Sequence, residues 1–126
     1  MKLINVGLFV KDLEGARTFF EEYFQAQVVN QYFEDDGYQS YIMQSEGMPK
    51  IELMTKPEIV DQPKDRNRTG YAHLCIDVET KENFDCILKK VEEDGYEILS
   101  GPEPMAGGRE FRAKLFEDNV MEIFYM

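Results

Sequence analysis

One pattern of elements occurs twice along the chain, and this repeat limits the possible folds more than any other feature. The apolar run INVGLFV aligns with AHLCIDV, which begins 68 residues later, and KIELM aligns with VMEIF at an offset of 70 residues. Nearly equal offsets at the two ends of a segment indicate a duplicated unit. We therefore expect two related modules in one chain.

The first half is predicted to form one strand, one helix and three further strands. Residues 3–10 have the composition of a strand, and a helix follows with Asp12 as its N-cap. Apolar residues recur at helical spacing at Leu13, Ala16, Phe20 and Phe24. Three short apolar runs separated by turn-forming clusters complete the half at 27–33, 38–45 and 50–56.

The second half repeats this order after a polar, proline-containing linker. Residues 71–78 predict a strand, Thr80 caps a helix, and Gly95 ends it. Three strands are then predicted at 96–99, 109–117 and 120–126. The prediction is one α+β domain of two βαβββ modules, with module 1 at about 1–56, the linker at about 57–69 and module 2 at about 70–126.

Composition narrows the classes of partner. Among 126 residues, 14 lysines and arginines face 25 acidic residues, giving a net charge of −11. Phosphates would be repelled, so nucleic acid and anionic membranes are poor partners, whereas cationic small molecules are compatible with this charge. No apolar stretch approaches the length of a bilayer span, and the N-terminus lacks a signal-peptide pattern. Two isolated cysteines suit a reducing compartment, and we expect a cytoplasmic protein.

The only histidine, His73, lies in the predicted strand that opens module 2. Strand alternation places it with Tyr71, Cys75 and Asp77, opposite an aliphatic face formed by Ala72, Leu74, Ile76 and Val78. A lone histidine is more often a structural residue than a ligand, and that interpretation stays open at this point.

Two glutamates occupy matching positions in the last strand of each module. Glu52 and Glu122 each stand between apolar neighbours, and a partly buried carboxylate needs a pair, a hydrogen bond or a metal. Asn5 aligns with His73, so a pseudo-twofold arrangement would bring these four residues together. One imidazole with oxygen ligands suits Zn²⁺, Ni²⁺, Co²⁺ or Mn²⁺. The alternative is that both glutamates lie on a solvated sheet face.

From INVGLFVKDLEGARTFFEEYF to EDNVMEIF the chain resembles the vicinal oxygen chelate superfamily, which includes glyoxalase I, bleomycin-resistance proteins and extradiol dioxygenases. The resemblance implies a curved eight-stranded mixed sheet with helices on its outer face and a divalent metal on its concave side. It matches the metal-ligand positions of the family to Asn5, Glu52, His73 and Glu122.

Within the superfamily, the pattern is most similar to glyoxalase I. Fosfomycin-resistance and ring-cleaving members use histidine at the position of Asn5, whereas glyoxalase I accepts glutamine there, which has the same amide oxygen. The resemblance implies a metal-dependent lyase or isomerase, of the lactoylglutathione lyase type, that moves a proton on a small substrate with vicinal oxygens. It assigns Glu122 as the base and Glu52 as its symmetric counterpart.

Several residues around the predicted site bear on the substrate. Phe9 and Lys56 replace the arginine and asparagine of glutathione-using members, which argues against glutathione. Phe9, Tyr71 and Phe124 share faces with the predicted site and are candidates for an apolar pocket, although each has a core-packing alternative. Arg109 follows two glycines and is a candidate for an anionic group of the substrate, with a solvated loop position as the alternative.

A second class of function is compatible with the same residues. Bleomycin-resistance proteins resemble this chain in fold and acidity, and they bind a cationic drug without a metal. The loss of the first histidine and the charge of −11 favour this alternative, whereas the three retained ligand-type residues oppose it. In either case the resemblance implies a homodimer with a small-molecule ligand.

Overall fold

The computed structural model describes all 126 residues, which form two compact units, Met1–Asp61 and Gln62–Met126. The elements of the N-terminal unit are β1 (Asn5–Phe9), α1 (Leu13–Phe24), β2 (Gln27–Phe33), β3 (Gln39–Gln44) and β4 (Lys50–Thr55). Those of the C-terminal unit are β5 (Leu74–Asp77), α2 (Lys81–Glu93), β6 (Ile98–Met105), β7 (Gly108–Lys114) and β8 (Val120–Tyr125). This order confirms the predicted α+β fold of two βαβββ modules.

Each unit contains a mixed four-stranded sheet in which the first and last strands are neighbours. The strand orders are β1-β4-β3-β2 and β5-β8-β7-β6. The β1/β4 and β5/β8 pairs are parallel, whereas the remaining pairs are antiparallel. The topology therefore brings a residue of the opening strand beside a residue of the closing strand in both units.

The helices begin at the predicted caps and cover one face of each sheet. Asp12 accepts a hydrogen bond from the Gly15 N–H, and Thr80 accepts one from the Asn83 N–H. The predicted apolar stripe of α1 is buried, as are Phe84, Ile87 and Val91 of α2. Because side chains alternate along a strand, Glu52 and Glu122 lie on the face opposite the one that the helix covers. Neither helix combines the length and the apolar character that crossing a bilayer requires.

The predicted bounds differ most from the structure in the C-terminal unit, although β1 is also shorter than predicted, at residues 5–9 instead of 3–10. In the C-terminal unit, β7 ends at Lys114 instead of residue 117. β5 begins at Leu74 rather than 71, because its ladder with β8 starts at the Leu74/Met121 pair, so His73 immediately precedes the strand. β6 extends to Met105 instead of ending at residue 99. The glycine-rich segment contains a two-residue turn of Ala106 and Gly107, both with positive φ, and Arg109 lies in β7 rather than in a loop.

Candidate functional site

In both units, the polar side chain associated with the opening strand contacts the glutamate of the closing strand. Asn5 Nδ2 donates a hydrogen bond to Glu52 Oε2 over 2.9 Å in the N-terminal unit. His73 Nε2 lies 3.1 Å from Glu122 Oε2 in the C-terminal unit. The repeat aligned Asn5 with His73 and Glu52 with Glu122, and in the structure each glutamate contacts the polar residue of its own unit.

Strand register explains both contacts. Glu52 pairs with Gly7, and Glu122 pairs with Cys75, so each glutamate lies diagonally from a residue two positions earlier. Diagonal neighbours on one face of a sheet are within reach of long side chains. Asn5 and His73 are those diagonal neighbours, and the contact follows from the matching register of the two parallel strand pairs.

Glu52 has a second partner, Tyr38, which immediately precedes β3. The Tyr38 hydroxyl donates to Glu52 Oε1 over 3.0 Å, while Asn5 occupies Oε2. Burial raises the pKa of Tyr38, and the neighbouring Glu52 carboxylate raises it further, against an opposing contribution from Ser40. Tyr38 is therefore a neutral hydrogen-bond donor at physiological pH, and both oxygens of the half-buried Glu52 accept from the protein.

Glu122 is more deeply buried and forms an ion pair with Arg112. Its side chain is 8 % exposed, and both Nε and an Nη of Arg112 lie 3.0 Å from Oε2. Arg112 is directly opposite Glu122 in the β7/β8 ladder, which brings the guanidinium to the carboxylate. This oxygen is the same one that faces His73.

A second carboxyl group, Glu110, contacts Glu122 from β7. The hydrogen bond to Glu122 raises the pKa of Glu110, and partial desolvation adds to this effect. Burial alone would raise the pKa of Glu122, but the hydrogen bond with Glu110, the Arg112 guanidinium and His73 outweigh it, so the pKa of Glu122 lies below its usual value. Of the two carboxyl groups, Glu122 is therefore the one that ionises more readily.

The predicted pocket residues occupy different environments. Phe9 is half exposed, and the Lys56 ammonium lies over its ring, 5.4 Å from the centroid. The two residues that replace the arginine and asparagine of glutathione-using members therefore contact each other. Tyr71 is fully exposed, and Phe124 is partly buried on the Glu122 face of β8. The Arg109 guanidinium lies 5.6 Å from the ring centroid of Phe84 on α2.

One of the two pairs has the spacing of two ligands on one divalent ion, but two donor atoms are not a complete metal site. No group of three or more histidine, cysteine, aspartate or glutamate side chains is arranged to hold a metal. Two ligand atoms at right angles on an ion, with bonds of about 2.1 Å, are about 3 Å apart. The separation of His73 Nε2 and Glu122 Oε2 matches that spacing, so these two atoms could bind one ion together.

Sequence reasoning missed three residues around the glutamates: Tyr38, Glu110 and Arg112. Alternation along REFRAK places Glu110 and Arg112 on one face and Phe111 and Ala113 on the other, a signal visible in the sequence. Which glutamate they meet depends on the β7/β8 register, which the sequence alone does not determine.

Comparisons with known proteins agree with this architecture. A family described as the Glyoxalase/Bleomycin resistance protein/Dioxygenase superfamily matches residues 5–112. No curated protein matches the chain.

Three solved structures illustrate the structural likeness. A glyoxylase/bleomycin resistance protein/dioxygenase domain from Frankia sp. has 17 % identity and a TM-score of 0.83, covering 99 % of this chain and 97 % of that one. The trypanothione-dependent glyoxalase I of Leishmania major has 16 % identity and a TM-score of 0.78, with coverage of 99 % and 86 %. A mutant of the fosfomycin resistance protein FosX from Listeria monocytogenes, complexed with Mn(II) and 1S,2S-dihydroxypropylphosphonic acid, has 21 % identity and a TM-score of 0.73, with coverage of 97 % and 90 %. At these identities the likeness establishes the fold.

Proposed function

This chain belongs to the glyoxalase/bleomycin resistance protein/dioxygenase superfamily, and from that membership we propose that it is a divalent-metal-dependent lyase or isomerase. Its substrate would be a small molecule with vicinal oxygens, such as a hemithioacetal or an α-hydroxy ketone. The reaction would transfer a proton without redox chemistry.

The observation that carries this proposal is the 3.1 Å separation of His73 Nε2 and Glu122 Oε2. A buried carboxylate beside the only imidazole of the chain is a ligand pair suited to Zn²⁺, Ni²⁺, Co²⁺ or Mn²⁺. The sequence repeat makes Asn5 and Glu52 the equivalent candidate ligand pair of the N-terminal unit. The manganese complex of the fosfomycin resistance protein shows that a protein with this fold can bind such an ion.

Each residue has a role in this proposal. A bound ion would polarise the vicinal oxygens of the substrate and make the adjacent C–H more acidic. Glu122, whose pKa is lowered, is ionised at neutral pH and can accept the proton. Glu52 is its symmetric counterpart, and Tyr38 holds that carboxylate at Oε1. Because Phe9 and Lys56 lie where glutathione-using relatives have an arginine and an asparagine, we expect a substrate other than a glutathione adduct.

A metal-free binding protein for a small molecule is the second candidate, and the net charge of −11 favours a cationic ligand. This candidate is favoured because other side chains of the protein already contact both Glu52 and Glu122. Glu52 accepts from Asn5 and Tyr38, and Glu122 pairs with Arg112 and contacts His73. A carboxylate satisfied in this way needs no ion for its charge to be stable.

Metal content separates the two candidates. Protein purified without chelators or an affinity tag should carry close to one divalent ion per chain, measured by elemental analysis. His73→Ala should lose the ion, because one of the two best-placed ligand atoms is removed. Asp77→Asn is the matched control, since it removes an exposed carboxylate from β5 and should keep the ion.

The opposite result would favour the binding protein. A preparation that contains no metal and takes up none of Zn²⁺, Ni²⁺ or Mn²⁺ would exclude the metal-dependent enzyme. Equal metal content in the wild type and His73→Ala would show that the ion is bound elsewhere.

A further inference from the structure

The Glu122 oxygen that faces His73 is already occupied by a cation of the chain itself. Arg112 directs two N–H groups, from Nε and an Nη, at Glu122 Oε2, each over 3.0 Å. His73 Nε2 is 3.1 Å from the same atom. Three nitrogen atoms therefore surround one oxygen, and that oxygen is the one best placed to share a metal ion with His73.

The small number of lone pairs on a carboxylate oxygen prevents the two Arg112 donors and an ion from binding Glu122 Oε2 at the same time. A carboxylate oxygen offers about two lone pairs, and the two Arg112 donors use both on Oε2. An ion could bind this oxygen only after at least one of those donors has left. The guanidinium also carries a positive charge, which would repel a divalent cation at the same atom.

We infer that Arg112 is an internal counter-cation that competes with the metal ion for Glu122. The inference rests on the proposed metal function and extends it to the regulation of that same site. In the absence of metal, Arg112 neutralises the buried carboxylate and stabilises the unit; when an ion binds, the guanidinium must move away from Oε2. Its side chain is 45 % exposed, so it can turn into solvent without disrupting the core.

The alternative role for Arg112 is that of a positioning residue that orients Glu122 toward the ion. The two roles predict opposite effects of its removal. Loss of an orienting partner typically weakens metal binding about 10- to 100-fold. Loss of a competitor strengthens it.

The experiment compares Zn²⁺ affinities of the full-length wild type, Arg112→Gln and Arg112→Lys by competition with a chromophoric chelator at fixed pH. Arg112→Gln should bind Zn²⁺ on the order of 10-fold more tightly than the wild type, the scale of effects from groups that contact a metal ligand. Arg112→Lys, which keeps the charge but not the paired donors, should gain less.

Arg109→Gln is the matched control for charge. It removes the same charge from the same strand, at a side chain that lies over Phe84 rather than against Glu122. Its Zn²⁺ affinity should equal that of the wild type. An equal gain in Arg109→Gln and Arg112→Gln would overturn the inference, because the effect would then be the general electrostatics of an acidic protein.

The outcomes distinguish this inference from the proposed function. If the wild type binds Zn²⁺ and Arg112→Gln binds it equally or more weakly, the inference fails and the metal site stands. If only the Arg112 variants bind Zn²⁺, competition by Arg112 is supported and the wild type is the metal-free binder. If none of the proteins binds Zn²⁺, both fail. Should Arg112→Gln not fold, as judged by circular dichroism, Arg112→Lys decides by the same criterion.

Discussion

At the scale of single residues, Glu52 and Glu122 differ in the groups that contact their carboxylates. Glu52 is held by two neutral donors, Asn5 and Tyr38, whereas Glu122 faces a guanidinium and an imidazole. The positions are equivalent by strand register, so the difference comes from side-chain identity. Two positions account for it: Asn5 corresponds to His73, and Ile42, opposite Glu52 in the β3/β4 ladder, corresponds to Arg112.

We predict that Asn5→His raises metal affinity. The change would place an imidazole beside Glu52, as His73 is beside Glu122, and imidazole nitrogen binds borderline metals more strongly than an amide oxygen. One additional good ligand should contribute about 1–3 kcal/mol, or about 5- to 150-fold in affinity. Side-by-side Zn²⁺ or Ni²⁺ titrations would measure this gain, and His73→Ala should bind weakly in both backgrounds. An unchanged affinity would mean that Asn5 is remote from any ion that His73 binds.

At the scale of elements, the carboxylate of Asp118 binds part of the predicted linker to the rest of the C-terminal unit. Asp118, between β7 and β8, is 6 % exposed and accepts a hydrogen bond from the Lys64 main-chain N–H over 2.6 Å. It also pairs with the side chains of Lys64, Arg66 and Lys114. Burial alone would raise the pKa of Asp118, but the hydrogen bond and these three cations outweigh it and hold the pKa below its usual value.

Asp118→Asn should therefore destabilise the protein at neutral pH. Lys64 and Arg66 are exposed and screened by solvent, whereas Lys114 is 26 % exposed, so we expect a loss of about 1–3 kcal/mol in the free energy of unfolding. Because the folded-state pKa is depressed, the contribution of Asp118 is present above its unfolded pKa, near 4, and is lost as pH falls through the lower folded value.

Urea unfolding of the wild type and Asp118→Asn from pH 7 to pH 3 would test this dependence. The stability difference should be largest at neutral pH and should shrink in acid. Asp65→Asn removes the same charge from an exposed position of this segment and should leave stability nearly unchanged. A pH-independent difference between wild type and Asp118→Asn would contradict the assignment.

At the scale of the whole molecule, we predict a homodimer. Each four-stranded sheet has two edge strands, and exposed apolar side chains such as Ile4, Phe9, Tyr32 and Phe33 lie on or beside those of the N-terminal unit. Light scattering at micromolar concentration should give twice the 14.7 kDa mass of one chain. Because each copy carries a charge of −11, added salt should strengthen association by screening repulsion. A monomer mass in both low and high salt would refute the prediction.

The sequence by itself determined the order of the elements, because that information is local. Asp12 and Thr80 cap the helices that follow them, and alternation separates the face of Glu52 and Glu122 from the aliphatic face. The repeat offsets also identified Asn5 and His73, and Glu52 and Glu122, as equivalent positions, whereas the contact of each glutamate with the polar residue of its own unit came from the strand registers.

Only the tertiary structure decided which further groups meet each carboxylate. Arg112 and Glu110 reach Glu122 through the register of β7 against β8, and Tyr38 reaches Glu52 from the turn before β3. Asp118 contacts Lys64 and Arg66, which lie more than 50 residues earlier in the chain. These contacts depend on strand pairing and packing across long sequence separations, so no local pattern specifies them, and they determine whether a buried glutamate is neutralised by the protein or left for a metal ion.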